Sequence, residues 1–255
     1  IELKSNVNLH LDFGTLLLGS TRLSDYDNAF PFKDGSMNQS SGLLFARGQK
    51  NISITGFGTI DGQGGNKTFQ FGNDADGGPK RPKIIYFVEC KGIVVTDVTL
   101  RNSAYWVQHY EKCEDVTIRG LKVFSHCNYN NDGLDIDAKN ATISDCYIDV
   151  EDDAICFKSD HPEFCENITV TNCVTASNCN AIKFGTASHG GYRNIAVSNC
   201  VVRRAAEDNI RHWSKQLEHI SADVTVISGV AIEMVDGGII DGITVSNISM
   251  RDVQT

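Results

Sequence analysis

One unit recurs along this chain: a polar or amide residue, an apolar-x-apolar pair, a small or amide residue at a bend, and a second apolar-x-apolar pair. It stands as NISITGFGTI from Asn51, GIVVTDVTL from Gly92, DVTIRGLKV from Asp115 and NATISDCYI from Asn140. It returns as NITVTNCVT from Asn167, NIAVSNCVV from Asn194 and GITVSNISM from Gly242, and NVNLHLDFGTLLLGS from Asn6 is an earlier member. From Gly92 to Asn194 the starts lie 23, 25, 27 and 27 residues apart, and the last gap of 48 holds two units. The units are rich in Val, Ile and Thr with period-two alternation, which is strand chemistry. A unit of this size cannot bury its apolar side alone, so the units must stack.

The fold class this predicts is all-β: a right-handed single-stranded parallel β-helix, with each coil laid on the last at about 4.8 Å. Asp145, Asn172, Asn199 and Asn247 then share one corner as a ladder of bend formers. Cys146, Cys173 and Cys200, at intervals of 27, become an inward stack of small apolar side chains rather than disulfides. A sandwich of hairpins would need recurring tight-turn signals; Asp132-Gly133 and Asp236-Gly237 are isolated. Four prolines and no Ser/Gly/Pro-rich linker predict one domain over residues 1–255. The chain begins inside an early coil and stops before a capping element, so a longer parent chain is expected.

The net charge of −9 argues against nucleic acid or an anionic membrane as partner, and no apolar run reaches membrane-spanning length. The nine cysteines show no C-x-x-C and no zinc-finger spacing, so no metal ligand set and no cofactor is expected from them.

The carboxylates carry the chemistry. Asp152 and Asp153 stand side by side within IDVEDDAICFKSD, and Asp132 in NYNNDGLDID precedes them by 20 and 21 residues, slightly under one coil. Aligning DGLDID with DDAICF sets Leu134 over Ile155 and Ile136 over Phe157, both inward. Asp132 and Asp153 then occupy equivalent places on adjacent coils of the outer face. Like charges so close push at least one pKa upward, which sets a protonated acid beside an ionised base. Glycoside hydrolysis uses that pairing. Spacing alone also allows a calcium site or a corner ladder without chemistry.

NNDGLDI at Asn130–Ile136 resembles the Asn-Thr-Asp-Gly signature of glycoside hydrolase family 28, the polygalacturonases, and EDDAICFKS at Glu151–Ser159 resembles that family's Asp-Asp segment. LHLDFGTLLLGS and ITGFGTIDGQG are similar to its early coils. The resemblance implies a pectin-lyase-like solenoid and an inverting hydrolase that acts as a monomer on pectin or a related polysaccharide, secreted or periplasmic. Asp152 would be the general acid, Asp132 and Asp153 would activate water, and Asn130 would be a polar contact nearby. Lys158 follows on the same outer face. The family's Gly-His-Gly is missing: Asn180 stands at the aligned position, and His189 could reach the cleft from the following loop. The family's Arg-Ile-Lys is also missing. Arg211 in DNIRHWS competes for its place with Ala231-Ile232-Glu233, and an outward Glu233 would disfavour a uronate and suit a neutral sugar. Tyr105, Trp106 and His109, one coil before Asp132, are candidates for stacking on sugar. A calcium-dependent lyase and a non-catalytic carbohydrate-binding solenoid are the rival expectations.

Overall fold

In a computed structural model, described here for residues 1–26, 41–69, 81–206 and 226–254, every strand pairing is parallel and every coil sits on its predecessor. The chain forms a right-handed parallel β-helix with three faces. The first face stacks β3 (Gly42–Arg47), β6 (Lys83–Val88), the start of β9 (Gln108–Arg119), the start of β11 (Leu134–Ser144), β13 (Ile155–Ser159), β16 (Asn180–Ser188) and β19 (Ser228–Met234). The second stacks β1 (Val7–Leu11), β4 (Lys50–Gly56), β7 (Lys91–Thr96), the ends of β9 and β11, β14 (Cys165–Thr171), β17 (Gly191–Ser198) and β20 (Ile239–Ser246). The third is a separate sheet, which runs from β2 (Leu16–Leu18) through β12 (Tyr147–Val150) to β21 (Ser249–Met250).

The interior follows from the register. Leu9, Ile54, Val95, Ile118, Ile143, Val170, Val197 and Val245 succeed one another as Cα partners, so one coil's aliphatic side chain rests on the next. The predicted pairs Leu134–Ile155 and Ile136–Phe157 are register partners, and Phe157 stacks on Phe184 with ring centroids 4.5 Å apart. Cys146, Cys173 and Cys200 are buried, and all nine cysteines are free. Each thiol of this row lies 3.2–3.4 Å from the carbonyl oxygen two residues earlier, a weak donation made alongside contact with the neighbouring cysteines of the row.

Two ladders of left-handed residues turn the coils. Asn6, Asn51, Asp115, Asn140, Asn167 and Asn194 open successive second-face strands at positive φ, with Gly92 and Gly242 in the same place. Asp97, Asp145, Asn172, Asn199 and Asn247 do the same at the far end. Asn and Asp tolerate this region better than other side chains, and the amides hand hydrogen bonds along the axis: Asn167 to Asn140 at 3.1 Å, Asn194 to Asn167 at 2.8 Å and Asn247 to Asn199 at 2.6 Å.

Removing one interior ring should cost more than removing one corner amide. We expect Phe157→Ala to lower unfolding free energy by about 3–5 kcal/mol. Asn167→Ala should lower it by about 1–2 kcal/mol, through backbone strain and lost hydrogen bonds. Urea denaturation of both variants checks the order.

Candidate active site

The three aspartates meet at the corner where the third face turns into the first. Asp132 lies just before β11, Asp152 and Asp153 just before β13, and Asn180 opens β16, so consecutive coils each contribute. Backbone bonds lock them in step: the Gly133 amide donates to Asp153 O at 2.8 Å and the Ala154 amide to Asn180 O at 2.9 Å. Gly133 is required by close approach, because a Cβ there would lie 2.5 Å from Ile148 Cγ2 and 2.7 Å from Ala154 O. Asn131 clamps the preceding loop, donating to Ser103 O at 2.9 Å and Tyr105 O at 3.0 Å.

The patch expected on an open outer face is largely covered. Asp132, Asp152 and Asp153 are each 5% exposed or less, and their surroundings differ. Asp153 is buried, which disfavours its charge, yet Lys183, Lys158 and Asn180 outweigh burial and hold the carboxyl below its ordinary value. Its Oδ1 accepts from Asn180 Nδ2 at 2.8 Å and from the Asn180 amide at 3.1 Å, and its Oδ2 pairs with Lys183 Nζ at 3.0 Å. Asp132 has an Oδ1 without a hydrogen-bond partner. Burial first, and the charge of Asp152 second, push its carboxyl well above the ordinary range. Asp152 Oδ1 accepts from the Asp153 amide at 2.9 Å, and its Oδ2 lies 3.4 Å from Asn130 Nδ2. Asn130 is itself held by Arg81 Nη2 at 3.1 Å. The corner thus sets a carboxyl biased toward its protonated form, Asp132, beside one biased toward its ionised form, Asp153.

Sequence reasoning identified Lys158 but missed its neighbours. Lys158 is buried rather than a surface lysine, 3.4 Å from Asp135 Oδ1, and the anions around it outweigh burial and keep it charged. Lys183, which alternation in NAIKFG puts outward, bridges Asp153 and Glu233, the latter at 3.1 Å. Glu233 therefore does not act as an isolated repelling charge. Asn180 stands where a histidine was expected and itself donates to Asp153 Oδ1. His189 does not reach the carboxylates: it is exposed on the turn after β16, with Asp236 as its ion-pair neighbour at 3.9 Å. His109 is not a sugar-stacking ring. It is 3% exposed, stacked on Tyr86 at 5.4 Å between centroids and meeting Trp106 edge-on at 5.0 Å. Tyr105 is buried and stacks on Trp106, which stays half-buried. Arg211 lies outside the described residues.

Asp152, Asp153 and Cys179 bring one potential ligand atom each within 4.8 Å of one another. The donor chemistry does not suit calcium, which takes oxygen ligands: one donor is a thiol, and Asp153 is already engaged by an ammonium and an amide. Among the described residues, no helix is long and apolar enough to cross a membrane.

Asp137, also buried, shows a cost of this acidic face. Burial raises its carboxyl to about 7, against about 3.9 in an unfolded chain. Between those values the folded form binds the extra proton, so stability falls as pH rises through them. Asp137→Asn should therefore stabilise the fold at pH 8, by up to about 4 kcal/mol, and give no gain near pH 4. Denaturation midpoints at the two pH values check this.

Comparison with known proteins bears on this geometry. The sequence profile of the glycosyl hydrolases family 28 matches residues 28–246. A probable polygalacturonase of Vitis vinifera is 30% identical over 175 residues, covering 64% of this chain and 35% of that protein. A polygalacturonase of Saccharomyces cerevisiae is 29% identical over 157 residues, covering 58% of this chain and 41% of that one. The chain thus spans well under half the length of these relatives. Among solved structures, polygalacturonase from Erwinia carotovora ssp. carotovora superimposes with a TM-score of 0.78 at 21% identity, over 99% of this chain and 66% of that one. The exopolygalacturonase from Thermotoga maritima gives 0.70 at 24% identity, over 80% and 57%.

Proposed function

The chain belongs to the glycosyl hydrolases family 28, and from that premise we propose that it hydrolyses α-glycosidic bonds of a pectic polysaccharide with inversion at the anomeric carbon. The observation that carries the reading is the contrast between Asp132, whose carboxyl burial and the charge of Asp152 push well above the ordinary range, and Asp153, which despite burial Lys183 and Asn180 hold below it. Inverting hydrolysis needs both forms at once.

In this reading the proton of the Asp132–Asp152 pair passes from Asp152 to the glycosidic oxygen, and the leaving sugar departs as an alcohol. Asp132, then charged, and Asp153 orient a water on the opposite side of the ring. The water's oxygen bonds to the anomeric carbon, and its proton returns to the carboxylates, which restores the starting count. Asn130 steadies Asp152. Lys158 and Lys183 supply the positive charge that lets so many acids share one corner. Substrates of this class are extracellular polymers, so secretion or a periplasmic location fits the activity, as does action as a monomer.

Asp152→Asn, Asp132→Asn and Asp153→Asn should each lower reducing-end release from pectic substrates by about 100-fold to 10,000-fold. Proton NMR of the first-formed product should show the inverted anomer. Retention of configuration, or undiminished turnover in all three variants, overturns the assignment. Lys183→Met should raise the pKa of Asp153, because the lysine charge that lowers it is gone, and so move the acid limb of the pH–rate profile to higher pH. A profile left in place would remove Lys183 from the mechanism.

A further inference from the structure

Arg81, 1% exposed, is the largest fully buried side chain among the described residues. Burying a guanidinium is costly unless its N–H groups are met, and Arg81 meets the loop that leads into Asp132. Nη1 donates to Tyr129 O at 2.6 Å, Nη2 donates to Asn130 Oδ1 at 3.1 Å, and the group lies 4.8 Å from the centre of the Tyr105 ring. Arg81 stands just before β6 and Asp132 just before β11, with the coil of β9 between them. The side chain thus spans two coil steps, about 10 Å along the axis.

The two hydrogen bonds bracket an unusual residue. Asn130 has φ 58°, in the left-handed region. The direction of its amide follows from its partners. A guanidinium has donors and no acceptor, so the amide oxygen must face Arg81, and the nitrogen is left facing Asp152 Oδ2 at 3.4 Å. The other oxygen of Asp152, Oδ1, accepts from the Asp153 amide at 2.9 Å. One donor on each oxygen fixes the plane of the carboxyl. The pair also favours the charged form, which the group reaches as its proton leaves.

We propose that Arg81 is a positioning residue for the hydrolysis: by holding the Asn130 amide with its N–H toward Asp152, it orients the acid and eases release of its proton to the glycosidic oxygen. The inference rests on the hydrolase reading and adds to it a buried residue that acts through Asn130. The other groups near Asp152 are Asp132 on the coil before, Asp153 beside it with Lys158 and Lys183, and Cys179 on the coil after. Arg81 also carries a charge of its own. A direct effect of that charge would persist without Asn130, so a double variant separates the two routes.

The test measures kcat, KM and the pH–rate profile on a pectic polysaccharide for wild type, Arg81→Met, Arg81→Lys, Asn130→Ala and the Arg81→Met/Asn130→Ala double variant. Arg81→Met should lower kcat about tenfold to a hundredfold, the loss of one hydrogen bond to a charged group, with KM within about twofold. Without the donor the protonated acid is favoured, so the basic limb of the kcat profile should move up by about one pH unit. Arg81→Lys, which keeps a donor, should recover part of both changes. Asn130→Ala should move the limb in the same direction, and the double variant should move it no further. A limb left in place, a loss confined to KM, or shifts that add in the double variant overturn the assignment. A residue that merely supports the fold would lower Tm and leave the limb where it was. Should Arg81→Met fail to fold, Arg81→Gln, which drops the charge and keeps a donor for the Tyr129 carbonyl, takes its place under the same criteria. Should wild type release no reducing ends, the hydrolase reading fails. Titration of Asp152 by carbon-13 NMR of the aspartate-labelled chain, in wild type, Arg81→Met, Asn130→Ala and the double variant, then decides the placement of Arg81 separately. A midpoint that Arg81→Met raises only where Asn130 is present sustains it, and an unmoved midpoint or an additive shift overturns it.

Discussion

The structure depends on a backbone conformation that most side chains avoid. At each end of the second-face strands, a residue sits at positive φ, between 52° and 65° for Asp97, Asp145, Asn172, Asn199 and Asn247. L-residues enter this region at a cost, and Asn and Asp at the least cost after glycine. Repeating the same corner in coil after coil makes neighbouring coils superimposable. Superimposability in turn puts Leu9 under Ile54 and Ile54 under Val95, and so builds a core from strands only a few residues long.

The carboxylate corner inherits that alignment. β11, β13 and β16 each begin a coil, and whatever stands just before or at the start of each strand is stacked whether or not the charges agree. Asp132 and Asp153 are therefore neighbours by construction, and the chemistry lies in how their environments diverge. Asp153 meets Lys183 on the next coil, which favours its charged form, whereas burial and the neighbouring Asp152 favour the protonated form of Asp132. Buried carboxylates are destabilising on their own. Here they are tolerated because the same ladder that gathers them also brings lysines from adjacent coils.

What alternates with period two was legible from the sequence. The pairs Leu134–Ile155 and Ile136–Phe157, the asparagine corners, the cysteine row and the equivalence of Asp132 with Asp153 all follow from counting along the repeat. What depends on the outer face was harder to read, because alternation says which way a side chain points and not what covers it. Lys158 and His109 point outward and are nonetheless buried. Lys183 was signalled by its outward place in NAIKFG, but its role needed the exact overlay of β16 on β13. Lys83 sits in PKIIYFV, a segment outside the repeat pattern, and its contacts with His109 and Trp106 follow only from the overlay of β6 on β9. The misplaced His189 shows the converse: proximity in sequence to an expected motif says little when a turn intervenes.

The free thiols have a consequence for what holds the coils together. A small extracellular protein held by disulfides is tied to the compartment that oxidises it. Here Cys146, Cys173 and Cys200 satisfy themselves on backbone carbonyls inside a stack that stacking alone maintains. Among the described residues the coils thus close by stacking and hydrogen bonding alone, without a cross-link to hold them.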